Sequence, residues 1–473
     1  MITAQQVDEC NDIELAYDLF WEYCLYHDYK FFSARPFFEE IADALQWVYE
    51  EYLLGRSRSI TLSLPPRSGK SYIISLFSAW WLGHIPDHAV MRNAANSSLF
   101  RDFSGDTRKI IESAKYKSVF PNIRLHPFKR DVRKWALTTS KKAAYFGAGT
   151  GGSIIGSGAN LAIYDDLIPS LEVAMNDEQL EKINNWKMVD HNSRKEKDCP
   201  EIGIGTRWRK NDVIGIEIEK GNVDKVFKVS ALVFYKPTDP EFAEFPDGRT
   251  FCEDVNRTSF YLKEKKELEP ELFDAIYQQE PMDLKGVLFP ASERRYYDPI
   301  KDAHILTQTS FRLAAVDAAK GGGDFYALIG GICIGTDIYI HDIVFNTDST
   351  ELNEEATVEF CVRNGINELK FEGNGAWFLM GQAIRSKLNK RKGRCSVRIF
   401  NQETNKHTRI LSKAGYIRNH FVWRSDWEQM PQYKAFLKNL SQYLKDGHAK
   451  NDDAPDVAAE LMTYYMQHFR DRW

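Results

Sequence analysis

Leu64-Pro65-Pro66-Arg67-Ser68-Gly69-Lys70-Ser71 sets a Gly-Lys-Ser tripeptide directly behind an apolar run. The preceding Ser59-Ile60-Thr61-Leu62-Ser63-Leu64 alternates in the manner of a short strand, and Tyr72-Ile73-Ile74-Ser75-Leu76-Phe77 predicts a buried helix after it. Strand, tight loop and helix are the setting a phosphate-binding loop needs. Backbone N–H groups around Ser68 and Gly69 can cradle phosphates, Lys70 can reach the β and γ phosphates of a nucleoside triphosphate, and the Ser71 hydroxyl can hold Mg²⁺. Leu64 stands where the G-x-x-x-x-G-K-[ST] pattern has its first glycine, so the segments downstream decide the reading.

Two of them do. Asn160-Leu161-Ala162-Ile163-Tyr164-Asp165-Asp166 is an apolar strand ending in adjacent carboxylates, behind the glycine-rich stretch Gly147 to Gly158. A strand that delivers an acid beside a phosphate loop holds Mg²⁺ and its water shell, which assigns Asp165 to the metal. Asp166 stands where a second carboxylate orients or deprotonates the attacking water, with Glu172 and Asp177 as alternatives. Ile202-Gly203-Ile204-Gly205-Thr206-Arg207-Trp208 is another strand with a polar end, and it places Thr206 where loss of the γ-phosphate can be sensed. Residues 5–55 carry apolar side chains at helical spacing, a packing surface whose Phe37 and Trp47 offer an alternative frame for adenine.

The 473 residues suffice for two or three cores, and the net charge of −5 means that nucleic-acid contact has to come from local patches. Seven scattered cysteines without a C-x-x-C pair argue against a disulfide framework or zinc site and fit a reducing cytoplasm. Met1-Ile2-Thr3-Ala4-Gln5-Gln6 lacks a leader pattern and no apolar run reaches membrane-spanning length, so a soluble, unprocessed chain is expected.

The C-terminal third presents a second set of acids. Phe311 to Asp317 reads as a strand ending in an acid, and the turn Lys320-Gly321-Gly322-Gly323-Asp324 returns it as a hairpin with Phe325 to Cys333. Glu372 ends another strand in Glu368-Leu369-Lys370-Phe371-Glu372-Gly373-Asn374. Asn451-Asp452-Asp453-Ala454-Pro455-Asp456 opens a helix on which Asp453 and Asp456 share a face. Carboxylates from two strands and a helix are what two-metal phosphodiester hydrolysis needs, with Mg²⁺ or Mn²⁺ on oxygen ligands. Asp317 and Asp453 lead this assignment, then Glu372, with Asp456 as an alternative ligand.

Pro65 to Ser71, Gly156-Ser157-Gly158-Ala159-Asn160 leading to Tyr164-Asp165-Asp166, and Gly205-Thr206-Arg207-Trp208 together resemble the ATPase half of tailed-bacteriophage large terminase subunits, the motors that package DNA. The later acids, in their order, resemble the ribonuclease H-like nuclease domain of the same family. The resemblance implies a P-loop (RecA/ASCE-like) ATPase domain at 1–240, a linker region at 241–300 and a nuclease domain at 301–473. It gives Arg67 a part in catalysis and coupling, and Thr206 the coupling motif. It further implies ATP, double-stranded DNA, a portal protein, a small terminase subunit, a homo-oligomeric ring without membrane association, and the infected host's cytoplasm. Lys406-His407-Thr408-Arg409-Ile410 matches a family segment before the final acid. A trans-acting cation could be Arg101, Arg108 or Arg133. Candidate DNA patches are Lys129 to Lys134, Arg207 to Lys210 and Lys387 to Arg394. A helicase or repair translocase fused to a nuclease is the alternative, although no arginine-rich late motif of a second RecA-like domain is found.

Overall fold

The computed structural model describes residues 12–154, 157–307, 310–318, 324–373, 375, 377–391, 395–401, 404–447, 449 and 451–472. The chain forms two compact units: Met1–Lys263 with Phe273–Asp283, and Glu264–Leu272 with Leu284–Trp473. Residues 241–300 are thus shared between them.

The first unit is built on β1 (Ser59–Ser63), β2 (Val90–Ala94), β3 (Leu125–Asp131), β4 (Lys134–Leu137), β5 (Tyr145–Phe146), β6 (Leu161–Asp165), β7 (Glu201–Ile204) and β8 (Lys225–Lys228). They lie in the order β3-β4-β5-β2-β6-β7-β1-β8, parallel from β5 to β8, with the β3-β4 hairpin antiparallel at one edge. The central strands β2, β6 and β7 are buried along their whole length, as parallel strands covered on both faces are, so that even Arg92, Asn93 and Glu201 lie inside. Strand β7 separates the phosphate-loop strand β1 from the acid strand β6, the arrangement of an ASCE-type sheet. The helix Lys70–His84 is buried along most of its length, with Trp80 and Trp81 wholly inside. Such a helix cannot be amphipathic in the usual sense, and the helices Phe20–Ser33 and Phe38–Leu53 cover its other side: Phe20 meets Phe77 edge-on at 5.1 Å and Tyr49 meets Trp80 at 4.9 Å.

A small antiparallel pair, β9 (Leu232–Val233) and β10 (Arg249–Thr250), follows. The second unit holds β11 (Arg295–Tyr297), β12 (Arg312–Asp317), β13 (Tyr326–Ile334), β14 (Asp337–Asn346), β15 (Glu368–Glu372), β16 (Ser396–Phe400) and β17 (Phe421–Arg424), ordered β11-β17-β14-β13-β12-β15-β16. Strands β12, β13 and β14 form an antiparallel meander, and β15 and β16 add parallel to β12. That is the ribonuclease H-like order. The hairpin read from sequence is present as the β12–β13 pair, in register Asp317 to Ala327, while the turn residues 319–323 lie outside the described residues.

Period-two alternation decides where the acids point. On β12, Ala314 and Val316 face the core formed with Val358, Phe360 and Ile384, which leaves Asp317 on the opposite face. On β15, Leu369 and Phe371 enter that same core, so Lys370 and Glu372 take the other face. The helix Asp453–His468 packs on β12 and β13 and brings Glu460 to within 2.8 Å of the Lys370 ammonium. Both strand acids therefore face the helix that carries the remaining carboxylates.

Candidate active sites

In the first unit the loop after β1 turns through two left-handed residues, Arg67 (φ 63°) and Gly69 (φ 102°). Gly69 is also hemmed in by space, because a Cβ there would fall 2.4 Å from the Phe31 ring. Arg67 is exposed at the loop apex, whereas Ser68 is buried and its hydroxyl finds no protein partner among the described residues. An orphaned hydroxyl inside such a loop fits an anionic ligand. The Ser71 hydroxyl donates to Asp165 Oδ1 at 3.3 Å. Asp165 ends β6, is fully buried, and is clamped from behind by Arg92 of β2, whose Nε donates to Oδ2 at 3.1 Å. The same guanidinium donates to Ser75 Oγ at 2.8 Å and to the Ser71 carbonyl at 3.1 Å, tying the acid strand to the phosphate-loop helix. Burial pushes the Asp165 carboxyl up, and Arg92 pulls against it.

Asp166 adopts φ 46°, an uncommon conformation for a residue with a side chain. The turn swings its carboxylate away from Asp165: Oδ2 lies 3.2 Å from the Lys70 ammonium and Oδ1 accepts from the Thr206 backbone N–H at 3.2 Å. Lys70, Asp166 and Thr206 are thus linked across three sheet segments. Of the alternatives for the water-activating acid, Asp177 is instead engaged by Arg209, and Glu172 sits in the first turn of the helix Leu171–Met175. Arg207 is held by Asp212, with its Nε 3.2 Å from both carboxylate oxygens, and Asp212 in turn caps the helix Val213–Glu219.

In the second unit, Asp317 and Glu372 stand at the C-terminal ends of β12 and β15, and Asp456 on the first turn of the helix Asp453–His468. One carboxylate oxygen from each lies within 4.8 Å of the others, close enough to share a cation. Asp453 lines the same cavity, of about 370 Å³, and its Oδ2 accepts from the Phe325 N–H at 3.2 Å. It stands outside the three-carboxylate group, where Asp456 takes the place. Hard oxygen donors gathered this way suit Mg²⁺ or Mn²⁺.

Two cations balance the cluster from the helix Lys406–His420. The Lys406 ammonium lies 2.8 Å from Asp452, 3.2 Å from Asp456 and 3.4 Å from Asp317. Arg409 sits deeper, with Nε 2.9 Å from Asp456 Oδ1 and 3.0 Å from Glu460 Oε1. Burial raises the Asp317 carboxyl to about 8; Lys406 opposes the shift, and Asp456, Glu372 and Asp453 add to it. Crowded, desolvated carboxylates of this kind ionise together only when a cation joins them.

No family model matches this sequence, and no curated protein matches it. Solved structures similar to it include the large terminase of a thermophilic bacteriophage, 10% identical over 86% of this chain and 94% of that one, with a TM-score of 0.48. The HK97 bacteriophage large terminase is 12% identical over 86% of this chain and 91% of that one, with a TM-score of 0.33. The nuclease domain of the Sf6 large terminase subunit gp2 is 10% identical over 34% of this chain and 92% of that one, with a TM-score of 0.25.

Other sequence candidates fall elsewhere. Trp47 packs under the Lys225 ammonium, 4.0 Å from its ring, and near Arg58. Those cations flank the starts of β8 and β1, so Trp47 is at the end of the sheet away from the phosphate loop. Phe37 packs on Phe251 at 5.0 Å, and the aromatic ring that does meet the loop is Phe31, stacked under Arg35. Arg108 donates to the Arg130 carbonyl, Arg133 pairs with Asp131, and Arg101 is exposed. In the Lys387 to Arg394 run, Lys387 pairs with Glu354 and Glu355 and Arg391 with Glu355, while 392–394 lie outside the described residues. Among the described residues no helix is long and apolar enough to cross a membrane.

Arg92 escaped the sequence reading. A lone arginine in a short strand carries no periodic signal, and only the neighbouring β6 explains it.

Proposed function

We propose that the chain is a DNA-packaging motor of the large-terminase kind: an ATPase that drives double-stranded DNA into a procapsid, joined to a metal-dependent endonuclease that cuts the concatemer. One observation carries the reading. A single chain holds a phosphate loop whose Lys70 is linked through Asp166 to Thr206, and a separate three-carboxylate cluster on a ribonuclease H-like sheet.

In the first site Lys70 and the loop N–H groups bind the phosphates of ATP, Ser71 and Asp165 would hold Mg²⁺, and Asp166 accepts or orients the proton of the attacking water. Asp166 also meets the Thr206 N–H, so hydrolysis that draws on this carboxylate is felt at the end of β7. Arg67, exposed at the loop apex, is free to meet the phosphates or a neighbouring subunit. In the second site Asp317, Glu372 and Asp456 would hold Mg²⁺ or Mn²⁺, with Asp453 beside them. Bound divalent cations supply charge neutralisation on the phosphodiester and an activated water. The partners implied are a portal protein, a small terminase subunit and further copies of this chain in a ring, all in the host cytoplasm.

The test is metal-dependent cleavage of plasmid DNA alongside ATP hydrolysis by wild type, Lys70→Ala and Asp317→Ala. Lys70→Ala is expected to lose hydrolysis by at least about 10²-fold and keep cutting, and Asp317→Ala to do the reverse. A wild type that cuts nothing with Mg²⁺ or Mn²⁺ removes the nuclease half of the reading.

A further inference from the structure

The two edges of the first unit's sheet carry grooves of nearly equal size and opposite character. At the β3 edge, a groove of about 750 Å³ is lined by Phe128, Lys129, Lys141 and Lys142 over a floor that includes Ala136 and Ala143. Phe128 is 90% exposed, an extreme value for a phenylalanine in an ordered hairpin. Lys129, Lys141 and Lys142 form no ion pair among the described residues, whereas Arg130 is occupied by Glu112 and Arg133 by Asp131.

At the β8 edge, a groove of about 770 Å³ is lined by Phe37, Val226 and Phe227 and by Glu39, Glu40 and Asp43 of the helix Phe38–Leu53. These three acids also form no ion pair among the described residues. The lysines of that groove are already engaged, Lys225 on the Trp47 ring and Lys228 with Glu280. Val226 is half exposed. One edge therefore offers an aromatic knob ringed by free ammonium groups, and the other an apolar recess ringed by free carboxylates.

Strands β3 and β8 are the terminal strands of an eight-stranded sheet, so on the order of 30 Å separates them at the usual strand spacing. A chain cannot fill its own recess with its own knob. We infer that the Phe128 knob of one copy docks in the Phe37–Val226 recess of the next, a head-to-tail contact between copies of this chain. Because the two surfaces differ, the contact is heterologous and propagates, closing to a ring if the rotation permits and extending as a filament otherwise. It deepens the ring assembly named above by specifying its surfaces. The charge pairing also predicts weakening by salt. A basic groove with an exposed aromatic residue is equally a nucleic-acid surface by composition, but that reading leaves the acidic recess at the opposite edge without a role.

The experiment is sedimentation velocity over a range of concentrations without nucleotide or DNA, with thiol cross-linking as a second readout. Phe128→Asp and the double variant Glu39→Lys/Glu40→Lys are each expected to weaken self-association at least about tenfold. Mixing these two variants leaves one intact knob and one intact recess, so the mixture should reach dimers and stop there. Phe128→Cys mixed with Val226→Cys should give a disulfide-linked dimer under mild oxidation, and Phe128→Cys alone should give none through this contact. Pairing Lys141→Glu/Lys142→Glu copies with Glu39→Lys/Glu40→Lys copies should restore association. A wild type that stays monomeric and does not cross-link overturns the inference. So does loss of duplex affinity in Phe128→Asp with self-association intact, which assigns the groove to DNA. The readout is mass, so either failure is distinct from a loss of hydrolysis or cutting.

Discussion

Arg92 and Asp165 form a wholly buried ion pair beneath the phosphate loop, neither side chain reaching solvent. The guanidinium spends its remaining donors on Ser75 and the Ser71 carbonyl, so the pair fastens β2, β6 and the helix Lys70–His84 at one point. Removing one member of such a pair strands the other in a dry interior. Arg92→Ala is expected to destabilise the first unit by about 3–5 kcal/mol. Urea unfolding checks it; a change under about 1 kcal/mol would mean that water or relaxation reaches Asp165.

Lys406 and Arg409 lie one turn apart and contact the same Asp456, yet they predict opposite outcomes. Lys406 stands among the carboxylates and competes for the space and charge that a divalent cation needs. Lys406→Met should therefore tighten Mn²⁺ binding at least about fivefold, since even a screened unit charge at this range is worth ~1 kcal/mol. Calorimetric titration of the nucleic-acid-free protein reads this directly, and unchanged or weaker binding counts against it.

Arg409 is only 6% exposed and holds Asp456 and Glu460 in place from behind. Arg409→Gln should loosen the ligand and cost about 10–100-fold in Mn²⁺ affinity, as loss of a partner that orients a metal ligand commonly does. If the variant binds Mn²⁺ as well as wild type while remaining folded, the helix alone positions Asp456.

His420 links two acids of the second unit, with Nε2 2.7 Å from Glu267 and Nδ1 3.4 Å from Asp337. Burial opposes its charge, but the bonds to Asp337 and Glu267 win and raise its pKa. Asp337 is held down at about 2: burial works against this, and the bonds to His420 and Arg295 prevail. The histidine's contribution is full below about 6.5 and lost as pH rises through its raised value, and the aspartate's is full above about 4 and lost as pH falls toward 2. The stability gap between wild type and His420→Gln should hence be widest near pH 5–6 and narrow toward pH 9. A gap that does not vary with pH would refute the coupling.

Gly69 combines a left-handed backbone with contact against the Phe31 ring. Gly69→Ala is expected to lower ATP hydrolysis through loop distortion, while Phe31→Ala in the same background should relieve the clash but not the φ strain. Partial recovery in the double variant is the diagnostic result; full recovery would make crowding the whole cause.

Much of this could be read from the chain. The apolar runs of β1, β6 and β12, each ending in chemistry-bearing residues, are local patterns, and hydrophobic periodicity carries them without tertiary help. The glycine-lysine-serine loop and the helix behind it are likewise local. What sequence could not reach were the partners. Arg92 lies 73 residues from Asp165, and Lys406 lies 89 from Asp317. Charges that far apart acquire meaning only when strand order brings them together.

The choice between acids separates the two levels. Asp453 and Asp456 lie three apart in the first turn of one helix, and the sequence by itself, which put Asp453 first and Asp456 as the alternative, determined only that this turn carries both carboxylates on one face. Only the tertiary structure decided that Asp456 joins Asp317 and Glu372 while Asp453 turns to the Phe325 N–H. The reason is the partners that packing supplies: Arg409 and Lys406 hold Asp456 beside the strand acids, while the Phe325 N–H engages Asp453, and each of these partners is remote in sequence.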